Sequence, residues 1–150
     1  MKTYLSRSPL QTIALGEKIG VSAPPGSVIA LRGGLGAGKT TLCKGIAKGL
    51  GIEEEVSSPT YTIASEYRGR LVFYHIDAYR LSGEEDFREI GGFEMLESEG
   101  SLSVVEWSEN IPRILRPGTA LIEIAMEKGG ARTFKLSGAW LEAALEGVAD

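Results

Sequence analysis

Residues 33–40 read Gly33-Gly34-Leu35-Gly36-Ala37-Gly38-Lys39-Thr40, a glycine-rich loop that ends in lysine and threonine. Phosphate oxygens must be met by a row of backbone N–H groups, and only a tightly turned segment without side chains brings those groups close enough. The lysine then supplies a mobile charge for the β- and γ-phosphates, and the threonine hydroxyl is placed to ligate Mg²⁺. This stretch predicts a nucleotide phosphate loop.

The residues on either side of the loop have the order that such a site requires. Val28-Ile29-Ala30-Leu31 is a short apolar run of β type, and residues 41–50 carry apolar side chains at helical spacing. A helix that begins directly after the loop adds its positive dipole end to the anion site. We therefore predict an α/β fold of the P-loop NTPase type, with three layers, a mixed and mainly parallel central sheet, and flanking helices.

Composition limits the class of protein. With 150 residues, the chain is expected to form a single domain over residues 1–150, and a net charge of −4 argues against a broad nucleic-acid-binding face. The single cysteine, Cys43, and the single histidine, His75, exclude an internal disulfide and a multi-Cys or histidine metal site. Cys43 is expected to be buried. No apolar run is long enough to span a bilayer and the start lacks a signal-peptide segment, so a cytoplasmic protein is expected.

Further elements are predicted from periodicity and from turn residues. A first helix is expected to begin at Pro9, after an N-cap at Ser8, and to end at Gly20. Ser82-Gly83-Glu84-Glu85 predicts a capping box that opens a short helix. The remaining predicted elements are a first strand over 3–6, a hairpin over 63–67 and 71–77, a strand over 102–107, a closing hairpin over 121–126 and 133–136, and a C-terminal helix over 140–148.

Two acidic residues stand at the ends of predicted strands. Asp77 ends the run 71–77, and Glu106 closes the run 102–107 just before Trp107. Ligands of open α/β sheets bind at the carboxyl edge, so two acids there predict a metal ligand and a group that orients water. The residues alone leave open which acid has which role. They also allow a simple turn aspartate and an exposed glutamate beside a packing tryptophan.

A hydroxyl-rich loop follows the predicted phosphate-loop helix. Pro59 fixes its own φ and forces Ser58 to be extended, so residues 56–62 are expected to form a loop. In nucleotide-hydrolysing switches a loop threonine at this place reaches Mg²⁺ and the γ-phosphate. Thr60 is the candidate for that role, and the alternative is a residue that only starts a strand.

Three classes of nucleotide protein are compatible with these features to different degrees. A GTPase is disfavoured because the chain has no Asn-Lys-x-Asp segment and because Asp77 is followed by Ala78-Tyr79-Arg80 instead of an Asp-x-x-Gly switch. A small-molecule P-loop kinase needs an arginine-rich lid, and only Arg80 and Arg88 lie near the candidate site. That class remains the alternative, beside a non-catalytic subunit that senses nucleotide.

Four linked motifs cover nearly the whole chain and resemble those of the TsaE (YjeE) family. They are Gly-Gly-Leu-Gly-Ala-Gly-Lys-Thr-Thr (33–41), Ser-Pro-Thr-Tyr (58–61), His-Ile-Asp-Ala-Tyr-Arg-Leu (75–81) and Val-Glu-Trp-Ser-Glu (105–109). The resemblance implies a bacterial P-loop ATPase needed for threonylcarbamoyladenosine modification of tRNA beside the anticodon. It also implies that the protein works with TsaD and TsaB and meets tRNA only through that complex. Because no arginine is obviously placed as a finger, ATP hydrolysis is expected to be slow without the partners, and no membrane role is expected.

The resemblance also implies site residues, transferred position by position. Mg²⁺ would be held by Thr40 and Glu106, Asp77 would be a further catalytic carboxylate, and Thr60 would be the switch-like threonine. Arg132, in a late turn, would flank the adenine, whereas residues 109–130 depart most from the family pattern and receive no role. The ATP phosphates would lie on Gly36, Ala37, Gly38, Lys39, Thr40 and Thr41, with Lys39 also catalytic.

Overall fold

A seven-stranded sheet and five α-helices make up the regular structure of the described residues. The structure is a computed structural model, and it describes residues 1–34, 38–56, 64–78, 81–106 and 117–146. The elements are β1 (Lys2–Ser6), α1 (Pro9–Ser22), β2 (Ser27–Gly33), α2 (Lys39–Gly49), β3 (Ala64–Arg68), β4 (Val72–Asp77), α3 (Glu84–Glu89), α4 (Gly92–Glu97), β5 (Ser101–Glu106), β6 (Ala120–Met126), β7 (Arg132–Ser137) and α5 (Ala139–Ala144).

The strands follow the order β1-β7-β6-β2-β5-β4-β3 across the sheet. The four central strands β6, β2, β5 and β4 pair in parallel, while antiparallel pairings add β7 and β1 at one edge and β3 at the other. A central parallel strand is covered on both faces and so reads as a continuous buried run. All six residues of β5 are buried in this way. The predicted mixed sheet with a parallel centre is confirmed.

Helices cover both faces of the sheet and produce three layers. On one face, Leu31 and Val104 pack in the larger core with residues of α1, α2 and α5. On the other face, Ile76 and Val105 pack with Phe87 of α3 and with α4. The alternation of side chains along each strand explains this division, because successive residues point to opposite faces. None of the helices in the described part of the chain is long and apolar enough to cross a membrane.

Glycines at four-residue spacing bring α1 and α2 into backbone contact. A Cβ added to Gly45 would lie 2.3 Å from the Ile13 carbonyl oxygen, and one added to Gly20 would lie 2.2 Å from that of Ile46. The prediction that α1 ends at Gly20 is wrong, since the helix continues to Ser22. Gly20 is there because α2 leaves no room for a side chain, and its backbone freedom is not used to end the helix.

The turn between β3 and β4 donates hydrogen bonds to carbonyl groups at the C-terminal ends of α1 and α2. The Arg70 guanidinium donates from Nη2 to the carbonyl oxygens of Gly20 (2.7 Å) and Ala23 (3.0 Å). The backbone N–H of Arg70 donates to the Leu50 carbonyl oxygen at 2.7 Å. The last carbonyls of a helix have no intrahelical donor, so this turn supplies partners that α1 and α2 lack.

Both predicted hairpins are present, but the predicted capping box is not. β3 pairs with β4 and β6 pairs with β7, each antiparallel. Helix α3 begins at Glu84 with Gly83 at its N-cap and no side-chain cap. Ser82 is occupied elsewhere, because its backbone N–H donates to Asp86 Oδ2 at 2.9 Å and its hydroxyl donates to the same oxygen. The acceptor for Ser82 is therefore Asp86, one residue after Glu85, the acid of the predicted capping box.

Candidate functional site

The segment predicted to be a phosphate loop joins a strand to a helix, as the sequence analysis expected. β2 ends at Gly33 and α2 begins at Lys39. Gly38, the N-cap of α2, has φ 106°, a left-handed conformation that only glycine adopts without strain. Lys39, Thr40 and Thr41 form the first turn of α2, whose leading N–H groups have no intrahelical acceptor. This end of the helix therefore favours an anion.

The two predicted acids stand side by side at the carboxyl edge of the sheet. Asp77 of β4 and Glu106 of β5 are register partners on adjacent parallel strands. On its other side Glu106 is paired with Leu31 of β2, two residues before that strand ends at Gly33. The strand pairing thus puts both carboxylates beside the strand that leads into the phosphate loop.

Glu106 is charged although it is only 6% exposed. Burial by itself raises the pKa of Glu106, but His75 and then Lys39 lower it, and the balance holds the pKa below its ordinary value. His75 Nε2 lies 3.7 Å from Glu106 Oε1. The effect of Lys39 shows that the first residue of α2 and the end of β5 are within electrostatic reach of each other. The carboxylate is therefore ionised and available as a hard oxygen ligand.

His75 lies beneath this edge and is fully buried at 0% exposure. Its Nε2 is 3.8 Å from the Cys43 sulfur, and its ring stacks on Phe73 with centroids 6.2 Å apart and planes at 3°. Burial lowers the pKa of His75, whereas Cys43 and Glu106 raise it, and the balance raises it above its ordinary value. The predicted burial of Cys43 is confirmed.

The sequence analysis assigned His75 no part in the site. The sequence did contain a signal for such a part. Residues i and i+2 of a strand share a face, so His75 shares a face with Asp77. That signal marks only the face, and it does not identify which residue of the neighbouring strand His75 contacts.

The chemistry of the donors fits Mg²⁺ held partly by a nucleotide. Among the described residues there is no group of three or more His, Cys, Asp or Glu side chains that could hold a metal by itself. Mg²⁺ commonly takes one or two protein oxygens and completes its shell with phosphate oxygens and water. The hydroxyl of Thr40 in the first turn of α2 and the ionised carboxylate of Glu106 are donors of that kind.

A cavity of about 340 Å³ opens beside the exit of the phosphate loop. It lies between the start of α1, the start of α2 and the late turn before β7. Arg132 borders it, and a Cβ added to Gly38 would lie 3.7 Å from Arg132 Nε. Ser6, the register partner of Arg132, and Thr12 also line it, and their Oγ and Oγ1 atoms are 2.7 Å apart. Arg132, which the sequence connected to the nucleotide only loosely, is therefore next to the phosphate loop.

The structure brings together most of the predicted site residues that it describes. Asp77, Glu106 and the start of α2 meet at one edge, and Arg132 lies beside Gly38. Gly36, Ala37 and Thr60 lie outside the described residues, so their roles stay predictions.

Comparison with known proteins places these features in a family. The family model described as threonylcarbamoyl adenosine biosynthesis protein TsaE matches residues 6–134. A relative from Treponema pallidum (strain Nichols), named tRNA threonylcarbamoyladenosine biosynthesis protein TsaE, is 43% identical over 128 residues, which are 85% of this chain and 94% of the relative. A protein of the same name from Bacillus subtilis (strain 168) is 44% identical over 105 residues, which are 69% of this chain and 65% of the relative.

A solved structure has the same fold. The crystal structure of YdiB from Bacillus subtilis superposes with a TM-score of 0.75 at 30% identity, over 97% of this chain and 91% of that one. The aligned part of this chain thus spans nearly all of the Treponema relative and just under two thirds of the Bacillus TsaE protein.

Proposed function

This chain belongs to the TsaE family of threonylcarbamoyl adenosine biosynthesis proteins, and from that premise we propose that it binds and hydrolyses ATP to support threonylcarbamoyladenosine modification of tRNA beside the anticodon. The observation that carries the proposal is the meeting of two features at one sheet edge. The start of α2, whose leading N–H groups have no intrahelical acceptor and favour an anion, is within electrostatic reach of Glu106, the register partner of Asp77. A phosphate site and two carboxylates are the parts that metal-dependent phosphoryl transfer needs.

Each residue has a distinct part in this proposal. Lys39 and the leading N–H groups of α2 bind the phosphates, and the hydroxyl of Thr40 and the carboxylate of Glu106 hold Mg²⁺. When bound, the ion neutralises charge on the phosphate oxygens. Asp77 is proposed as the further catalytic carboxylate, which would accept a hydrogen bond from the attacking water. Gly36, Ala37 and Thr41 complete the phosphate contacts, and Thr60 acts as the switch-like threonine.

The nucleotide base is proposed to occupy the cavity beside Gly38. A planar guanidinium stacks well on an aromatic ring, and Arg132 borders that cavity. Ser6 and Thr12 line the same cavity, with hydroxyls that are hydrogen-bonded to each other. Arg132 is therefore proposed to flank the adenine, as the family resemblance implies.

The proposal includes partner proteins and a low rate in their absence. TsaD and TsaB are the partners implied by the resemblance, and tRNA is reached through them. A net charge of −4 suits a protein that does not bind tRNA over a broad basic face. Phosphoryl transfer is often accelerated by an arginine supplied in trans, so we expect the partner complex to stimulate hydrolysis. We place this activity in the cytoplasm.

A small-molecule kinase is less well supported by the structure. Arg88, one of the two arginines that the sequence puts near the candidate site, lies on α3 next to Glu84 (3.9 Å) and Glu85 (3.4 Å). Its guanidinium also lies 5.4 Å from the centre of the Phe93 ring. These contacts engage Arg88 with its own helix and with the neighbouring α4. The other arginine, Arg80, lies outside the described residues.

The proposal is tested by ATP hydrolysis with purified protein, with and without Mg²⁺ and with and without TsaD and TsaB. We expect slow Mg²⁺-dependent hydrolysis that rises when both partners are added. A hydrolysis rate that does not change with the partners, but increases with a small metabolite that becomes phosphorylated, would instead show that the protein is a small-molecule kinase.

A further inference from the structure

We propose that His75 is a positioning residue that holds the Glu106 carboxylate in the orientation in which it receives the metal. The inference rests on the proposed function, because it takes Glu106 to be a Mg²⁺ ligand. It concerns a residue that never meets the nucleotide, since His75 is 0% exposed.

Strand pairing creates the contact between the two side chains. His75 is paired with Val104, and Asp77 is paired with Glu106, in the parallel ladder of β4 and β5. Residues two apart on a strand share a face, so His75 and Glu106 lie on the same face as diagonal neighbours. The distance from His75 Nε2 to Glu106 Oε1 is 3.7 Å. The histidine is thus beneath the acid, on the side away from solvent.

The imidazole is itself held in one orientation. Its ring stacks on Phe73, which is also 0% exposed, and Nε2 lies 3.8 Å from the Cys43 sulfur. The other ring nitrogen, Nδ1, has no hydrogen-bond partner among the described residues. All polar contacts of the ring that the structure shows therefore pass through Nε2, the nitrogen that faces Glu106.

An unsatisfied buried nitrogen is costly, and an apolar side chain of similar size would avoid that cost. A histidine at this position is consequently explained better by its contact with Glu106 than by core packing. A glutamate side chain has several rotamers, and a neighbour that holds one carboxylate oxygen restricts them. Groups that orient a metal ligand typically change metal affinity by about 10- to 100-fold when they are removed.

The test is Mn²⁺ binding in the presence of ADP, followed by the electron paramagnetic resonance signal of free Mn²⁺. His75→Met removes the polar nitrogen at nearly constant volume, and His75→Gln keeps a nitrogen close to the position of Nε2. We expect His75→Met to weaken Mn²⁺ binding about tenfold and His75→Gln to restore most of it. Unchanged affinity in His75→Met, or equal loss in both variants, would overturn the proposal.

Val104→Ala is the matched control for damage to the core. Val104 is the register partner of His75, is equally buried, and has no polar group to offer Glu106. We expect this variant to unfold at a lower temperature and to bind Mn²⁺ like the wild type. If Val104→Ala weakens Mn²⁺ binding as much as His75→Met does, packing explains the effect and the proposal fails.

The single histidine of the chain offers a second readout that needs no turnover. In untagged protein labelled with ¹⁵N, the imidazole nitrogens are assigned to His75 without ambiguity. Adding Mg²⁺ to the ADP complex is expected to shift the Nε2 resonance, because the charge on Glu106 becomes shared with the ion. Ring resonances that do not respond to Mg²⁺ would contradict a positioning role.

Glu106→Gln separates failure of this inference from failure of the proposed function. If Glu106→Gln binds Mn²⁺ as the wild type does, Glu106 is not a ligand and both fail. If Glu106→Gln is weakened while His75→Met is not, only the role of His75 is lost.

Discussion

Glu106 and Asp77 end adjacent parallel strands as register partners, so that two carboxylates stand side by side at one sheet edge. Here His75 and Lys39 lower the pKa of Glu106 against the effect of burial. The edge is therefore arranged so that the more buried acid stays ionised.

Replacing Glu106 by Gln is expected to lower Mg²⁺-dependent ATP hydrolysis on the order of 100-fold while the fold is kept. The substitution keeps the shape of the side chain and removes the charge that the ion needs. The measurement is the rate as a function of Mg²⁺ concentration. Glu89→Gln, an exposed acid of α3, is the control and should behave as the wild type. Unchanged metal dependence in Glu106→Gln would mean that Glu106 does not bind the ion and only packs in the fold.

Lys39→Ala is expected to abolish measurable ATP turnover and to weaken nucleotide binding. The variant loses the charge that is proposed to face the β- and γ-phosphates, whereas the backbone at the start of α2 remains. Affinity for a fluorescent ATP analogue and the hydrolysis rate are both measured. Lys44→Ala, an exposed lysine later on the same helix, should leave both unchanged. Equal effects of the two substitutions would argue against a phosphate contact for Lys39.

Gly45→Ala is expected to lower the free energy of unfolding by about 2 kcal/mol, because the new methyl group would lie 2.3 Å from the Ile13 carbonyl oxygen. In a helix without such a contact the same change would stabilise by up to about 1 kcal/mol, so the sign of the effect is diagnostic. Urea denaturation gives the value. At Gly83 an added Cβ meets no atom within 4 Å, so Gly83→Ala is the control and should not destabilise. A Gly45→Ala variant as stable as the wild type would show that the helices can separate at no cost.

Arg70→Met is expected to destabilise the protein by about 1–2 kcal/mol, since the carbonyls of Gly20 and Ala23 lose a charged donor. Arg68, two residues earlier, provides the comparison. Its side chain is 81% exposed and contacts only Glu66 among the ion pairs shown, at 3.4 Å. Exposed pairs contribute about 0–1 kcal/mol, so Arg68→Met should change stability little. Equal losses of stability in Arg70→Met and Arg68→Met would mean that the hydrogen bonds from Arg70 to the end of α1 do not stabilise the protein.

The hydrogen bonds from Ser82 to Asp86 predict a pH-dependent contribution to stability. They hold the pKa of Asp86 below its ordinary value. A carboxyl group whose pKa is lower in the folded chain stabilises the fold above the unfolded-state pKa, and that stabilisation disappears as the pH falls through the folded-state pKa. Ser82→Ala should therefore be less stable than the wild type near neutral pH, and the difference should vanish in acid. A difference that is constant with pH would assign the effect to the backbone turn.

Local patterns were sufficient to predict much of the fold. The phosphate loop between a strand and a helix, both hairpins, and the acids at two strand ends are properties of short segments. Their signals are glycine spacing, turn residues and side-chain periodicity, which act over a few residues. The same signals led to three wrong helix boundaries: at Gly20, at Ser82, and in the C-terminal helix, which was predicted to extend to residue 148 and ends at Ala144. A glycine ends a helix or permits close packing with equal ease, and a serine has more than one acid within reach.

The sequence by itself therefore determined the class of fold and singled out the candidate phosphate-binding residues and the acidic residues, and tertiary structure decided which of them meet. Strand order puts Asp77 next to Glu106, and the parallel register puts His75 under the same acid. Folding also brings Arg132 to Gly38 and Arg70 to the ends of two helices. These contacts join segments far apart in the chain, and their geometry follows from how strands pair and helices pack, which no local periodicity encodes.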